Sequence, residues 1–377
     1  MSLGVKFIPS AVFLLALIAV SSFISAQTPD FTSIDFGKSG ESMKVESIAQ
    51  DNQNHLYFGT SKGLLKYDGL EMKPIALNDS LMDLSITALL YHENVVWIGT
   101  STGQLYTWDG EKAHEFLDSA FTGSAKISAL KGIGDCIGVA TYGEGVYVLM
   151  DDHVDRHYTT ENGLGDNYSY DLEMHNNRLW IGTDAGITEV DTAEDATFLY
   201  SMRNGLPDNI VKTIVPYSDS TIAIGMYDMG ICLLNTKRYT FSYFSENQQW
   251  SHGPVEKMLK SADGMLWVAT KSDGIIWADL SSNDQSIRAF SQINGLESNR
   301  IQSLFEDAEH NVWIGTSRGA SLYAGSNVEF LTSDEGLPAQ NIYDVLVDQN
   351  GDYWFASEQS SQIHHEENRT VNACRAR

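Results

Sequence analysis

Eight times between Leu56 and Ser357 the chain repeats one short phrase: an aromatic or small residue, an apolar residue, Gly or Ala, then usually Thr and a turn ending in Gly. It reads Tyr57-Phe58-Gly59-Thr60, Trp97-Ile98-Gly99-Thr100, Trp180-Ile181-Gly182-Thr183, Trp267-Val268-Ala269-Thr270, Trp313-Ile314-Gly315-Thr316 and Trp354-Phe355-Ala356-Ser357. Two weaker copies, Gly138-Val139-Ala140-Thr141 and Ala223-Ile224-Gly225-Met226, fill the gaps. Taking the Gly or Ala as marker, the steps run from 40 to 46 residues. A period in that range, built only of strand-like pieces, predicts an all-β fold, a β-propeller of four-stranded blades.

The fourth repeat gives the grammar of a blade. Tyr168 to Met174 alternates as a first strand, His175-Asn176-Asn177 turns, and Arg178 to Thr183 is the second strand. Ile187 to Val190 and Ala196 to Tyr200 supply the third and fourth. A further phrase links blades: Asn162-Gly163-Leu164-Gly165-Asp166-Asn167, Asn204 to Asn209, Asn294 to Asn299 and Glu335 to Asn341. Gly supplies backbone freedom, Asn and Asp cap the turn, and the Leu is placed to plug a gap between blades. The Trp of the main phrase is flat and large enough to fill the wedge between adjacent sheets. In repeats three and five, Gly138 and Ala223 stand there instead, either filled in by neighbours or left open near a ligand.

Counting from the chain ends sets the expected ring. Phe31 to Phe36 resembles a fourth strand, and the eighth repeat offers Ile342 to Asp348, Asp352 to Ser357 and Gln362 to Glu366 but no fourth. Pairing the two ends predicts eight blades closed by the N-terminal strand, with a seven-bladed ring and a spare repeat as the alternative. The propeller domain is thus expected over 30–367, followed by an irregular tail, 368–377.

Ahead of the repeats, Lys6, the apolar run Ala11 to Val20 and Ser25-Ala26-Gln27 have the order of a secretory signal over 1–26, cut after Ala26, with an uncleaved anchor as the alternative. The expected location is periplasmic or secreted, with no membrane span after cleavage. The net charge of −26 repels nucleic acid and anionic lipid, which excludes both as main partners. Cys136, Cys232 and Cys374 make no disulfide framework, and the first two read as small buried hydrophobes.

The run Gly-Leu-x-x-Asn, strand, Asp-x-x-Gly, then an aromatic-Ile-Gly-Thr-x-x-Gly phrase, seen at Asn294 to Asn299 followed by Ile301 to Ala320 and begun again at Asn204 to Asn209, resembles the two-component regulator propeller repeat. The resemblance covers about residues 30–358. It implies kinship with the extracytoplasmic sensor regions of bacterial hybrid two-component systems, many of which sense glycan fragments. The sequence departs from that larger pattern in having no second propeller, sandwich domain, transmembrane helix or kinase. The resemblance therefore implies a binding propeller, free-standing or a fragment of a sensor, with a membrane sensor kinase or another envelope protein as partner.

Motifs of catalysis read as turns. Gly59 to Gly63, Gly99 to Gly103 and Gly315 to Gly319 match G-x-S-x-G, which would make Ser61, Ser101 or Ser317 a nucleophile. That motif needs a strand turning into a helix, whereas each match here joins two strands. Asp348 to Asp352 imitates part of a calcium loop but lacks the downstream bidentate Glu. No catalytic residue, metal site or cofactor is assigned. Binding is expected where the second-to-third-strand turns open around the central channel. Repeats three, five and six carry a turn one residue longer there, presenting Tyr142 and Glu144, Tyr227 and Asp228, and Lys271 and Asp273, with Arg318 of repeat seven facing the same mouth. Aromatic faces beside a few polar groups suit a small-molecule or glycan ligand. An envelope interaction scaffold is the second reading. A propeller lyase or hydrolase, with Tyr142, Glu144, Tyr227 and Asp228 as acid–base groups, is the third.

Overall fold

The computed structural model describes residues 31–34, 36, 43–76, 84–243, 253–280 and 287–324, together with the backbone of 342–347, 353–357, 361–364 and 372–374. The segment 1–26 expected to be a signal, the link Glu335 to Asn341, the loop Asp348 to Asp352 and most of the tail lie outside them. The chain divides into two compact units between Tyr323 and Ala324.

In the first unit every repeat folds as an antiparallel sheet whose strands follow chain order. Blade 4 is typical, with strands Ser169–His175, Arg178–Thr183, Gly186–Asp191 and Ala196–Tyr200. The first strands of consecutive blades lie side by side and form the inner wall: Val45–Gln50, Ile86–His92, Ile127–Ile133, Ser169–His175, Val211–Ser218, Val255–Lys260 and Ile301–Glu306.

The ring has seven blades, which corrects the expectation of eight. The N-terminal strand Thr32–Ile34 does not complete the eighth repeat. It pairs antiparallel with Gly319–Tyr323, matching Ser33 to Ser321, and becomes the fourth strand of blade 7. The inner strand of blade 7 in turn packs against that of blade 1. The eighth repeat forms a sheet within the second unit, from Ile342–Val347, Tyr353–Ser357, Ser361–His364 and Asn372–Cys374. Its fourth strand comes from the tail that the repeat pattern leaves unassigned, so it has no vacancy for the N-terminal strand to fill.

The marker glycine shows why the seams are tight. A Cβ on Gly59 would meet Ile86 at 2.8 Å, on Gly99 Ile127 at 2.5 Å, and on Gly182 Val211 at 2.8 Å. In each case the obstacle is the first residue of the next blade's inner strand. Gly315 of blade 7 meets Val45 of blade 1 in the same way, with the Val45 carbonyl oxygen 2.7 Å from that Cβ position. The geometry between neighbours is thus repeated across the seventh seam.

Aromatic residues of the second strands fill the seams. Trp180 packs with Val211, Ile214 and Ile224 of blade 5, Trp267 with Ile301 and Ile314 of blade 7, and Trp313 with Val45 and Phe58 of blade 1. Where Gly138 replaces the Trp, a Cβ would lie 2.3 Å from Leu172 and 2.7 Å from Ile133, so neighbouring side chains close the gap. Leu164, Leu206 and Leu296 of the linking phrase are buried in the seams. Burying a Leu side chain contributes about 1.5–3 kcal/mol. The phrase's two asparagines fix the loop that delivers it: Asn204 Oδ1 accepts from the Ser201 N–H, and Asn209 Oδ1 from the Met202 N–H at 2.9 Å.

Candidate functional site

In all seven inner strands the pairing register shifts at the second residue, leaving Glu46, Thr87, Ser128, Tyr170, Lys212, Glu256 and Gln302 as bulges. A bulge releases a residue from the ladder and re-aims its side chain. Here six of the freed side chains reach other blades around the end where the inner strands begin, while Gln302 Nε2 donates to its neighbour Ile301 O. Thr87 Oγ1 donates to the Ile127 carbonyl at 2.6 Å and Ser128 Oγ to that of Ser169 at 2.5 Å. Lys126, ahead of blade 3, places its Nζ 3.3 Å from Glu46 of blade 1.

The richest part of this mouth spans blades 3 to 6. Tyr142 follows the second strand of blade 3 and bridges to Tyr168, so their rings lie 4.7 Å apart. Tyr170 is 5.5 Å from Tyr142 and donates its hydroxyl to Asp184 Oδ1 at 2.8 Å. The Lys212 ammonium sits 3.8 Å from the centroid of the Tyr170 ring, and 3.9 Å from Glu256 of blade 6. Burial pushes the Tyr170 phenol above its ordinary value, with Asp184 adding to the effect. Burial also lowers the Lys212 ammonium, against the pull of Glu256. Tyr142 and Tyr168 remain 44% and 45% exposed, so two aromatic faces are available beside a fixed cation and two carboxylates.

Below the mouth a cavity of about 570 Å³ is lined by inner-strand residues of blades 3 to 7. Lys131 pairs with Glu173 across the seam of blades 3 and 4, and Lys257 reaches Asp171 at 4.0 Å. Burial outweighs Lys131 at Glu173 and pushes its carboxyl up to about 7. Asp171 also accepts the Ile214 N–H at 3.0 Å, so this carboxylate ties blade 4 to blade 5.

The residues expected from the long turns are placed in different surroundings. Tyr142 joins the tyrosine group. Tyr227 and Lys271 join each other across blades 5 and 6, with Nζ 3.2 Å from the phenol oxygen. Asp228 is held through its N–H by Asp208, and Asp273 through its N–H by Thr270 Oγ1. Glu144 accepts from Ser124 and from Tyr147, 3.4 Å away. Burial raises its carboxyl, but hydrogen bonds from Ser124, Thr122 and Tyr147 outweigh it and hold the group below the usual range. Arg318 is exposed. Among the described residues, none of these others hydrogen-bonds to or stacks on the tyrosine group. Sequence reasoning missed Tyr168, Tyr170, Lys212 and Glu256. The last three share one repeat position, the second residue of the inner strand.

The serine motifs sit in strand-to-strand turns. The preceding Thr closes each one: Thr60 Oγ1 donates to Gly63 O at 2.7 Å, and Thr316 Oγ1 to Gly319 O at 3.0 Å. Cys136 and Cys232 are free, and burial raises the Cys232 thiol to about 12. Among the described residues no group of three or more His, Cys, Asp or Glu is arranged to hold a metal ion. No described helix is long and apolar enough to cross a membrane.

The two-component regulator propeller family matches residues 295–318 and 336–359. No curated protein sequence matches the chain. Among solved structures, the extracellular domain of the hybrid two-component system BT4673 from B. thetaiotaomicron is similar with a TM-score of 0.67 at 18% identity, over 92% of this chain and 47% of that one. The corresponding domain of BT3049 from the same organism is similar with a TM-score of 0.66 at 20% identity, over 92% of this chain and 49% of that one. Virginiamycin B lyase from Staphylococcus aureus has a TM-score of 0.62 at 12% identity, over 78% of this chain and 98% of that one. These likenesses are of fold. The chain spans about half the length of the two sensor domains.

Proposed function

We propose, for a chain that carries two-component regulator propeller repeats and folds like extracellular sensor propellers, that it is an exported, non-enzymatic binding domain whose channel mouth takes a small neutral ligand of the carbohydrate class. The observation carrying this is the tyrosine group. Tyr142 and Tyr168 offer exposed rings, while Tyr170 is fixed from its edge by Asp184 and from its face by Lys212. A sugar presents apolar C–H faces and a rim of hydroxyls, so aromatic planes beside carboxylates and an ammonium match it. Binding suits these groups better than proton transfer, because a phenol pushed above its ordinary value is a poor acid at neutral pH.

Occupancy would be passed to a membrane sensor kinase or another envelope protein. The supporting fact is the likeness to extracellular sensor domains. The test is a melting-shift screen with oligosaccharide fragments, since a ligand that binds only the folded state raises its stability by mass action. A saturable shift, lost in Tyr142→Ala and weakened in Tyr168→Ala, is the expected result. A screen without a hit, or affinity unchanged in both variants, overturns the proposal.

A further inference from the structure

A second recess lies in the seam of blades 4 and 5, at the opposite end of the strands from the channel mouth. Two lobes, of about 430 and 480 Å³, share Arg178, Glu189 and Tyr239 in their walls. Trp180 lines the first lobe, is 1% exposed, and its indole N–H has no hydrogen-bond partner. A buried donor without a partner costs about 1–3 kcal/mol and calls for an explanation.

In three sister blades with a longer connection the aromatic residue at this repeat position has an acceptor. Trp267 Nε1 donates to Ser261 Oγ at 3.0 Å, Trp313 Nε1 to Asp307 Oδ2 at 2.7 Å, and the Tyr57 hydroxyl to Asp51 Oδ2 at 3.1 Å. In each case the acceptor begins the five-residue connection between the first two strands. Blade 4 replaces that connection with the two-residue turn Asn176-Asn177, whose φ angles of 52° and 58° make a tight hairpin. The turn carries no acceptor to the indole, and its shortness leaves the recess in front of it.

The rest of the wall has ligand-binding chemistry. Trp180, Tyr200 and Tyr239 form a column, with Tyr239 stacked on Tyr200 at 6.0 Å and 8°. Tyr239 and Phe198 are 51% and 54% exposed at its outer end. Glu189 is buried and accepts the Tyr200 hydroxyl at 2.8 Å, leaving further acceptor capacity. Arg178 pairs with Asp191 at 2.6 Å and lies 3.8 Å from Glu189. Arg178 is already matched by carboxylates, and the remaining charged residues of the wall, Lys237 and Asp219, are of opposite sign, so the recess favours neither an anion nor a cation. Donors, acceptors and aromatic faces together suit a neutral polyol ring.

We propose that this seam is a saccharide subsite, distinct from the channel mouth, in which Trp180 donates to a ligand oxygen, Glu189 accepts from a hydroxyl, and Tyr239 stacks on the ring. The proposal does not depend on the reading of the channel mouth. It is tested on the full chain by following the tryptophan indole N–H signals in nitrogen-correlated NMR spectra. Trp180→Phe identifies the signal, and the probes are the methyl glycosides of glucose, galactose, mannose, xylose and N-acetylglucosamine. The expected result is a saturable shift of the Trp180 signal with at least one probe. Its affinity should fall about tenfold or more in Tyr239→Ala, an exposed site that leaves the fold intact, and in Glu189→Gln. Tyr142→Ala should leave it unchanged. A Trp180 signal that no probe moves, that shifts without saturating, or that responds equally in Tyr239→Ala overturns the proposal.

Discussion

Lys212 and Tyr170 occupy the same bulged position in adjacent blades, and that register brings the ammonium of one to 3.8 Å from the ring centroid of the other. The contact joins two residues 42 positions apart in sequence, because each comes from the second place of its inner strand. A cation over a tyrosine face contributes about 0.5–2 kcal/mol, and desolvating the ammonium offsets part of it.

Replacing Lys212 by Met should therefore separate binding from stability. Burial lowers the Lys212 ammonium, so folding is penalised below its folded-state pKa and the penalty fades as pH rises toward the unfolded value. Lys212→Met is expected to change unfolding free energy by less than about 1 kcal/mol at neutral pH while weakening ligand binding. Urea denaturation beside a titration calorimetry run would check it, and a loss of several kcal/mol would contradict it.

Glu173 gives a pH signature of the channel. Its carboxyl is raised to about 7 from a model-peptide value of 4.5 by burial. The folded state then holds a proton that the unfolded state releases, so this contribution is full below the unfolded value and is lost as pH rises through about 7. The stability difference between the native chain and Glu173→Gln should fall by up to about 3 kcal/mol between pH 4.5 and 8. Paired denaturation curves at several pH values would show it, and a flat difference would refute it.

Gly315 tests the seventh seam. Its missing Cβ faces the Val45 carbonyl at 2.7 Å and Ser303 Oγ at 2.1 Å. Gly315→Ala should cost about 1–3 kcal/mol by overpacking. Gly134→Ala is the control, since nothing lies within 4 Å there, although its φ of 60° carries modest strain. Equal losses at the two sites would mean that the seam is loose.

Phe31 anchors the N-terminal strand. It is buried, with its ring 5.2 Å from Phe290 and 5.5 Å from Tyr323. Phe31→Ala should lower stability by about 3–5 kcal/mol and expose the Gly319–Tyr323 edge. Differential scanning calorimetry and light scattering would register both effects.

Much of the blade was legible because its signals are local. Arg178 to Thr183 and Ala196 to Tyr200 are strands as their alternation implies, and the linking Leu is buried as its phrase suggests. The blade count was not. Thr32–Ile34 is too short to carry a pattern that says whether it pairs with repeat seven or eight. The tail strand Asn372–Cys374 has no repeat signature either. Of the candidate site, Tyr142 was readable from its longer turn. Tyr170 and Lys212 were not, because a bulge is a property of two paired strands and their meeting depends on the ring. The unpartnered donor of Trp180's indole was readable in principle, from a hairpin two residues long where three sister blades place Asp or Ser.

The seven bulges have an evolutionary consequence. A residue outside the ladder contributes little to strand pairing within its own blade, so exchanging it leaves that pairing intact. Glu46, Thr87, Ser128, Tyr170, Lys212, Glu256 and Gln302 therefore amount to seven dials set around one opening, of which Tyr170, Lys212 and Glu256 turn together. A lineage can retune what the opening accepts one dial or coupled set at a time, without passing through an unfolded ancestor.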